Sequence, residues 1–349
     1  MSAEFYLVPR DAAPRKWDVL APPLADYPQD CHYFGNVLAK LAMDPAASGL
    51  TFVVTWDIDA VPFTGPNVVV LLIGDERYQL PAYAGKVLAV FKTGGLTQFL
   101  PPKLWSAAPQ LIGLELLRAL RNQTLLGVRL LRHWLRPRFW DRVFPVPLGY
   151  FCHVQPAFRP APERRYDVFS AAIVNSRGGG PLSAIARSPK QCARNAMMKA
   201  VQLLKENAPN LRLNAPARRL DFQSYAEAMM DSKICLCPRG NFIETFRHLE
   251  AARSGCVIVS ESLPPLWYYT GIPIVQVDRW EQMPGLVCSL LREPARIEEL
   301  SAMTLQWWKT RASEEPVAAY ISGNLRRLRP DFPARPNPEP AEGPLCLTR

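Results

Sequence analysis

The residues best suited by type and spacing to hold a phosphorylated ligand lie in SKICLCPRGNFIETFRHLEAARSGCVIVS, from Ser232 to Ser260. A buried-looking strand over 233–237 runs into Pro238-Arg239-Gly240, where the proline ends the ladder and the glycine permits a tight turn beside a ligand. A helix is expected over 245–254. At the carboxyl end of a parallel strand, such a helix start offers free N–H groups and the positive end of its dipole to a phosphate. Thr245 would add a hydroxyl there and Arg247 a bidentate cation. Glu250 falls three residues after Arg247, on nearly the same helix face, where a carboxylate can accept both hydroxyls of a ribose. The alternative for Arg247 and Glu250 is an ordinary i, i+3 ion pair on a solvated face.

A second patch, Asn175-Ser176-Arg177-Gly178-Gly179-Gly180, follows a strand expected from Tyr166. Its glycines let backbone approach an anion, and Arg177 and Arg194 can close on the charge. A mobile glycine loop is the plainer alternative.

Parallel strands and helical crossovers must position these groups. From Tyr166 onward, strands are expected over 166–174, 211–213, 233–237, 256–260 and 272–277, with helices over 191–207, 222–231 and 245–254; Asp221 is placed to cap the second helix. Repeated strand-helix-strand order implies a parallel sheet covered by helices. The first half shows apolar strands over 51–55, 67–74 and 86–91 after a helix over 30–43, and reads as a second α/β unit. Prolines at 145, 147, 156, 160 and 162 suit a connection between the two. The resulting division is 1–150 for the first domain, 151–165 for the linker and 166–315 for the second domain. Helices are expected over 295–311 and 317–329, the stretch 316–329 crossing back over the first domain, with a proline-rich tail over 330–349.

Composition narrows the classes. Of 349 residues, 48% are hydrophobic and 21% charged, which suits folded domains of two cores. The net charge of +10 favours anionic partners. Aromatic and basic residues do not interleave on strands, so the pattern does not read as a binder of nucleic acid. No stretch is long and apolar enough to cross a bilayer, and the first residues lack a secretory pattern, so the expected location is cytoplasmic. The 8 cysteines are scattered without paired zinc spacing, and no zinc site is expected.

Taken together, Cys235-Leu236-Cys237-Pro238-Arg239-Gly240, then Thr245-x-Arg247-x-x-Glu250-Ala251, then Gly255-Cys256-Val257-Ile258-Val259 resemble the donor signature of the exostosin-like (GT47-type) glycosyltransferases. That pattern runs approximately C-L-x-P-x-G, S-x-R-x-x-E-A, G-C-x-P-V. Thr245 stands where the family has serine, and Ile258 where it has proline. The resemblance implies the GT-B architecture, α/β with two Rossmann-like domains facing a central cleft. It implies an inverting, metal-independent glycosyltransferase that moves a sugar from a nucleoside-diphosphate sugar to a glycan or lipid-linked acceptor, as in bacterial surface polysaccharide or glycoconjugate synthesis. Arg247 resembles the family's phosphate-contacting arginine and Glu250 its ribose-binding glutamate. Pro238, Arg239, Gly240 and Thr245, with Arg177 and Arg194, complete the expected donor set. The alternatives are a sugar-nucleotide epimerase of the same architecture, which needs no acceptor, and a non-catalytic binder of nucleotide or nucleic acid.

Transfer with inversion also needs a base for the acceptor hydroxyl. Asp75 and Glu76, at the end of the strand over 68–74, are the expected pair, against a solvated turn paired locally with Arg77. Asp57-Ile58-Asp59 competes as the D-x-D cation site of metal-dependent enzymes, and His153 as another base. No cofactor or metal is expected. The Leu- and Arg-rich stretch 104–142 reads either as packed helices with a basic outer face or as a peripheral contact with the inner membrane face, where lipid-linked acceptors are found.

Overall fold

The computed structural model describes residues 2–9, 13–21, 28, 31–74, 78–96, 112–113, 116–117, 119–121, 140–171, 188–216, 218–240 and 243–329. The expected positions Asp75, Glu76 and Arg177, most of 104–142 and the tail 330–349 lie outside them.

The first half is one sheet of β1 (Glu4–Val8), β2 (Arg15–Lys16), β3 (Thr51–Thr55), β4 (Gly65–Leu72), β5 (Val87–Thr93) and β6 (Val143–Val146), in the order β2-β1-β3-β4-β5-β6. Only β2 runs antiparallel. Alternation explains why β3 and β4 read as continuous apolar runs. Phe52, Val54, Val69 and Leu71 enter the core on one face, while Val53, Val68, Val70 and Leu72 enter the core on the other. The helix α1 (Cys31–Ala42) covers the first face with Phe34, Val37, Leu38 and Leu41.

Three strands were not expected: β1, β2 and β6, the last at the end of the first domain and reaching into the run of prolines that begins at Pro145. Pro145 is accommodated because β6 is an edge strand, so the missing N–H deprives no neighbour of a ladder bond.

The second half contains β7 (Tyr166–Phe169), α2 (Pro189–Asn207), β8 (Leu213–Asn214), α3 (Phe222–Met230), β9 (Ser232–Cys237), α4 (Phe246–Arg253), β10 (Val257–Ser260), β11 (Ile274–Gln276), α5 (Met283–Leu291), α6 (Pro294–Trp307) and α7 (Glu314–Leu328). Ser188 caps α2 in a capping box with Gln191, and the Asp221 carboxylate caps α3 by accepting from Ser224 N at 2.8 Å. All strand pairs are parallel, in the order β11-β10-β9-β7-β8. The chain steps outward from β7 to β8, then returns past β7 to β9. This reversal puts a crevice at the carboxyl ends of β7 and β9. In the first sheet the parallel strands β1, β3, β4, β5 and β6 follow one another in one direction, with the antiparallel β2 on the far side of β1.

Several contacts join the halves. One apolar cluster runs from the first sheet and α1 through Tyr150 to α4, Tyr268, Trp308 and α7. α7 returns to the first half: Ser322 Oγ donates to Asp44 at 2.7 Å, Arg326 adds bonds at 2.9 and 3.1 Å, and Arg329 donates to Ser48 O at 3.2 Å. Tyr33 OH donates to Ala312 O at 2.6 Å. Arg164, wholly buried where the connection enters β7, donates to three carbonyls, those of Arg159, Ser232 and Ser254, at 2.8 to 2.9 Å. Carbonyl dipoles thus satisfy a cation that would otherwise be costly to bury.

Candidate functional site

The segment 232–260 forms the expected strand, turn, helix and strand. β9 ends at Cys237, and buried Pro238, Arg239 and Gly240 lie at its carboxyl end. The turn is fastened to β10: Arg239 N donates to Glu261 Oε2 at 2.9 Å, and Trp280 Nε1 donates to Glu261 Oε1 at 3.0 Å. Glu261 therefore shapes this loop, a role that no local sequence signal assigned to it.

Thr245 is the N-cap of α4. Its amide donates to His248 Nδ1 at 3.1 Å, so that ring nitrogen is an acceptor and Nε2 carries the proton donated to Ser260 Oγ at 2.7 Å. Burial lowers the pKa of His248 to about 4, against the nearby Thr245 carbonyl oxygen, 3.3 Å from Nδ1, which raises it. One amide of the helix start is thus engaged by the protein, and the Thr245 hydroxyl also lies 3.1 Å from the same ring nitrogen.

Arg247 is half-buried at the crevice. Its Nη2 donates to Ala171 O, just past β7, at 3.2 Å, and its Nε donates to Tyr225 OH at 3.5 Å. Arg194, in the first turns of α2, stands close enough for Arg247 to lower its pKa, although burial is the larger cause. The charges of Arg247 and Arg194 thus act on one another near the reversal of strand order, a region of positive potential suited to an anion.

Glu250, on the same helix, accepts bonds from the protein itself. It is 7% exposed; Oε1 accepts from Phe151 N at 3.0 Å and Cys152 N at 2.9 Å, and Oε2 accepts from Tyr225 OH at 2.8 Å. The carboxylate therefore anchors the connection between the halves. The alternative i, i+3 pair is not formed directly either, because Tyr225 OH stands between Arg247 and Glu250. Tyr225 on α3 was missed: one tyrosine in an amphipathic helix gives no local sign of a distant partner. Beside it, Arg253 donates to Cys152 O at 3.1 Å and lies 4.0 Å from the centroid of the Tyr150 ring.

The remaining expectations fall as follows. Asp57 Oδ1 accepts from the amides of Asp59 at 2.7 Å and Ala60 at 3.1 Å, which is a local turn. No group of three or more His, Cys, Asp or Glu among the described residues could hold a metal. His153 stacks on His32 with ring centroids 4.8 Å apart and meets the edge of Phe222. Cys235 and Cys237 are buried free thiols, their sulfurs 3.8 Å apart. Among the described residues, no helix is long and apolar enough to cross a membrane.

Two sheets, the second wholly parallel and the first parallel but for β2, joined by a connection and with the C-terminal helix crossing back, define an α/β protein of the GT-B arrangement, its crevice at the β7–β9 reversal. The chain is similar to Exostosin-1 of Drosophila melanogaster, 29% identical over 126 residues that make up 34% of this chain and 16% of that protein. The chain thus covers well under two thirds of that relative's length. No family model matches the chain. Among solved structures, sucrose-phosphate synthase from Thermosynechococcus elongatus aligns with a TM-score of 0.45 and 13% identity, covering 85% of this chain and 94% of that one. The pneumococcal O-GlcNAc transferase GtfA in complex with UDP and GlcNAc aligns at 0.42 and 12%, covering 84% and 61%. A UDP-N-acetylglucosamine 2-epimerase aligns at 0.42 and 10%, covering 96% and 98%.

Proposed function

We propose that the chain is a glycosyltransferase that uses a nucleoside-diphosphate sugar and binds its diphosphate at the β7–β9 crevice. The observation that carries this reading is Arg247 bonded to Ala171 O just past β7, where the strand order reverses, with Arg194 near enough for the Arg247 charge to act on it. Bringing two like charges together is unfavourable unless an anion joins them, and a diphosphate carries the charge and spread to meet both. The leaving diphosphate gains charge as the glycosidic bond breaks, so fixed cations favour that step. The signature shared with exostosin-like enzymes supports the same substrate class.

The reaction is assigned as inverting and metal-independent. Asp75 or Glu76, which follow the carboxyl end of β4, takes the acceptor's proton. The acceptor is a glycan or lipid-linked hydroxyl in bacterial surface polysaccharide or glycoconjugate synthesis, and the stretch 104–142 supplies a peripheral contact with the membrane face. Glu250 is assigned to the connection between the halves, leaving the ribose to other groups of the crevice.

A panel of nucleoside diphosphates tests the reading by thermal shift. At least one raises the melting temperature of the parent, and Arg247→Ala abolishes the rise. A parent that shifts with no nucleotide overturns the reading.

A further inference from the structure

One buried titratable cluster lies outside the proposed donor site, where the halves meet. Lys92, near the carboxyl end of β5, is fully buried and donates to Gly95 O at 2.9 Å and Thr93 O at 3.4 Å. Opposite, Glu244 immediately precedes the α4 cap and is 3% exposed; Tyr268 OH donates to its Oε2 at 3.1 Å. Tyr269 and the Lys92 charge also act on the Glu244 carboxyl, and Tyr78, just beyond β4, acts on Tyr268. The same junction is pinned by Trp267 Nε1 donating to Pro145 O at 2.8 Å, with Leu266 only 3.9 Å from where a Cβ on Gly95 would stand. The two halves thus grip one another around a carboxyl and an ammonium that are both out of water.

We propose that Glu244 is a proton-linked joint between the two halves, buried and protonated while they grip one another and ionised when the junction opens to water. This goes beyond the donor reading and does not depend on it. Burial, the largest influence, raises the Glu244 carboxyl to about 7, although Tyr269, Tyr268 and Lys92 all pull it downward. In water the group returns toward its ordinary 4.5. The closed junction therefore holds the proton more tightly, so its advantage is complete below 4.5 and is lost as pH rises through 7. The ratio of closed to open should fall about tenfold between pH 6 and pH 8. His248, next to this loop, stays neutral across that interval because its pKa is lowered to about 4.

Amide hydrogen exchange of the full chain, read by mass spectrometry on peptides spanning 93–95 and 264–269 and corrected for the intrinsic rate at each pH, tests the proposal without any ligand. In the parent, protection falls about tenfold from pH 6 to pH 8. Glu244→Gln keeps the shape but cannot ionise, and its protection changes by less than about twofold. Tyr268→Phe removes a bond that favours the ionised carboxyl and moves the midpoint to higher pH; Lys92→Met does the same if it folds. A flat parent profile, an unchanged fall in Glu244→Gln, or a Tyr268→Phe midpoint that stays put or moves down overturns the proposal. Because no nucleotide is used, failure here is separate from failure of the glycosyltransferase reading.

Discussion

Replacing Glu250 by alanine separates its two conceivable duties, holding a nucleoside ribose and holding the connection between the halves. The carboxylate accepts three hydrogen bonds, from the amides of Phe151 and Cys152 and from Tyr225 OH, all between 2.8 and 3.0 Å. A bond to an ionised partner contributes ~1.5–3 kcal/mol, and a buried donor left without its acceptor costs ~1–3 kcal/mol. The losses overlap and are not additive, so Glu250→Ala should destabilise the protein by at least ~3 kcal/mol, roughly a hundredfold in the folding equilibrium. Glu250→Gln retains one oxygen for the two amides and turns its NH2 toward Tyr225, whose oxygen can accept; its cost should stay below ~1.5 kcal/mol. Equilibrium unfolding in urea at pH 7, with equal slopes for parent and variants, measures both values. An alanine variant within ~1 kcal/mol of the parent would refute the anchoring role. A glutamine variant that keeps its stability but loses nucleotide affinity would return the residue to the ribose.

Two further outcomes follow from the core. His248 has its pKa lowered to about 4 from 6.5, so its contribution is present above 6.5 and is lost as pH falls toward 4. Relative to His248→Gln, which keeps an acceptor for the Thr245 amide, the parent should lose about 3 kcal/mol over that interval, measured by urea unfolding at successive pH values; a constant difference would contradict the assignment. Gly149 has φ +80°, and a Cβ there would stand 2.3 Å from Cδ1 of the fully buried Tyr33. Gly149→Ala should therefore cost ~3 kcal/mol or more, visible as a lower thermal midpoint; a loss below ~1 kcal/mol would show that Tyr33 yields easily.

The local pattern determined most of the second half. Asp221 was readable as the α3 cap because the cap is an interaction within three residues. The strands β9 and β10, with Thr245 at the start of α4, followed from apolar runs and from turn residues whose backbone preferences are intrinsic. The GT-B arrangement followed from the strand-helix alternation and the signature over 235–259. β6 escaped because proline argues against a strand except at an edge, and edge position is a property of the whole sheet.

Only the tertiary structure decided what the polar side chains do. The partners of Glu250 lie 25 and about a hundred positions away, those of Glu261 on the 239 turn and at Trp280, and those of Glu244 on elements from both halves. Periodicity records which side of an element is buried, because burial depends on a residue and its near neighbours. Which donor meets a buried carboxylate depends on how distant elements dock. The same Glu250 that reads from the sequence as a ligand for a ribose is, once the connection folds over α4, the acceptor that holds that connection in place.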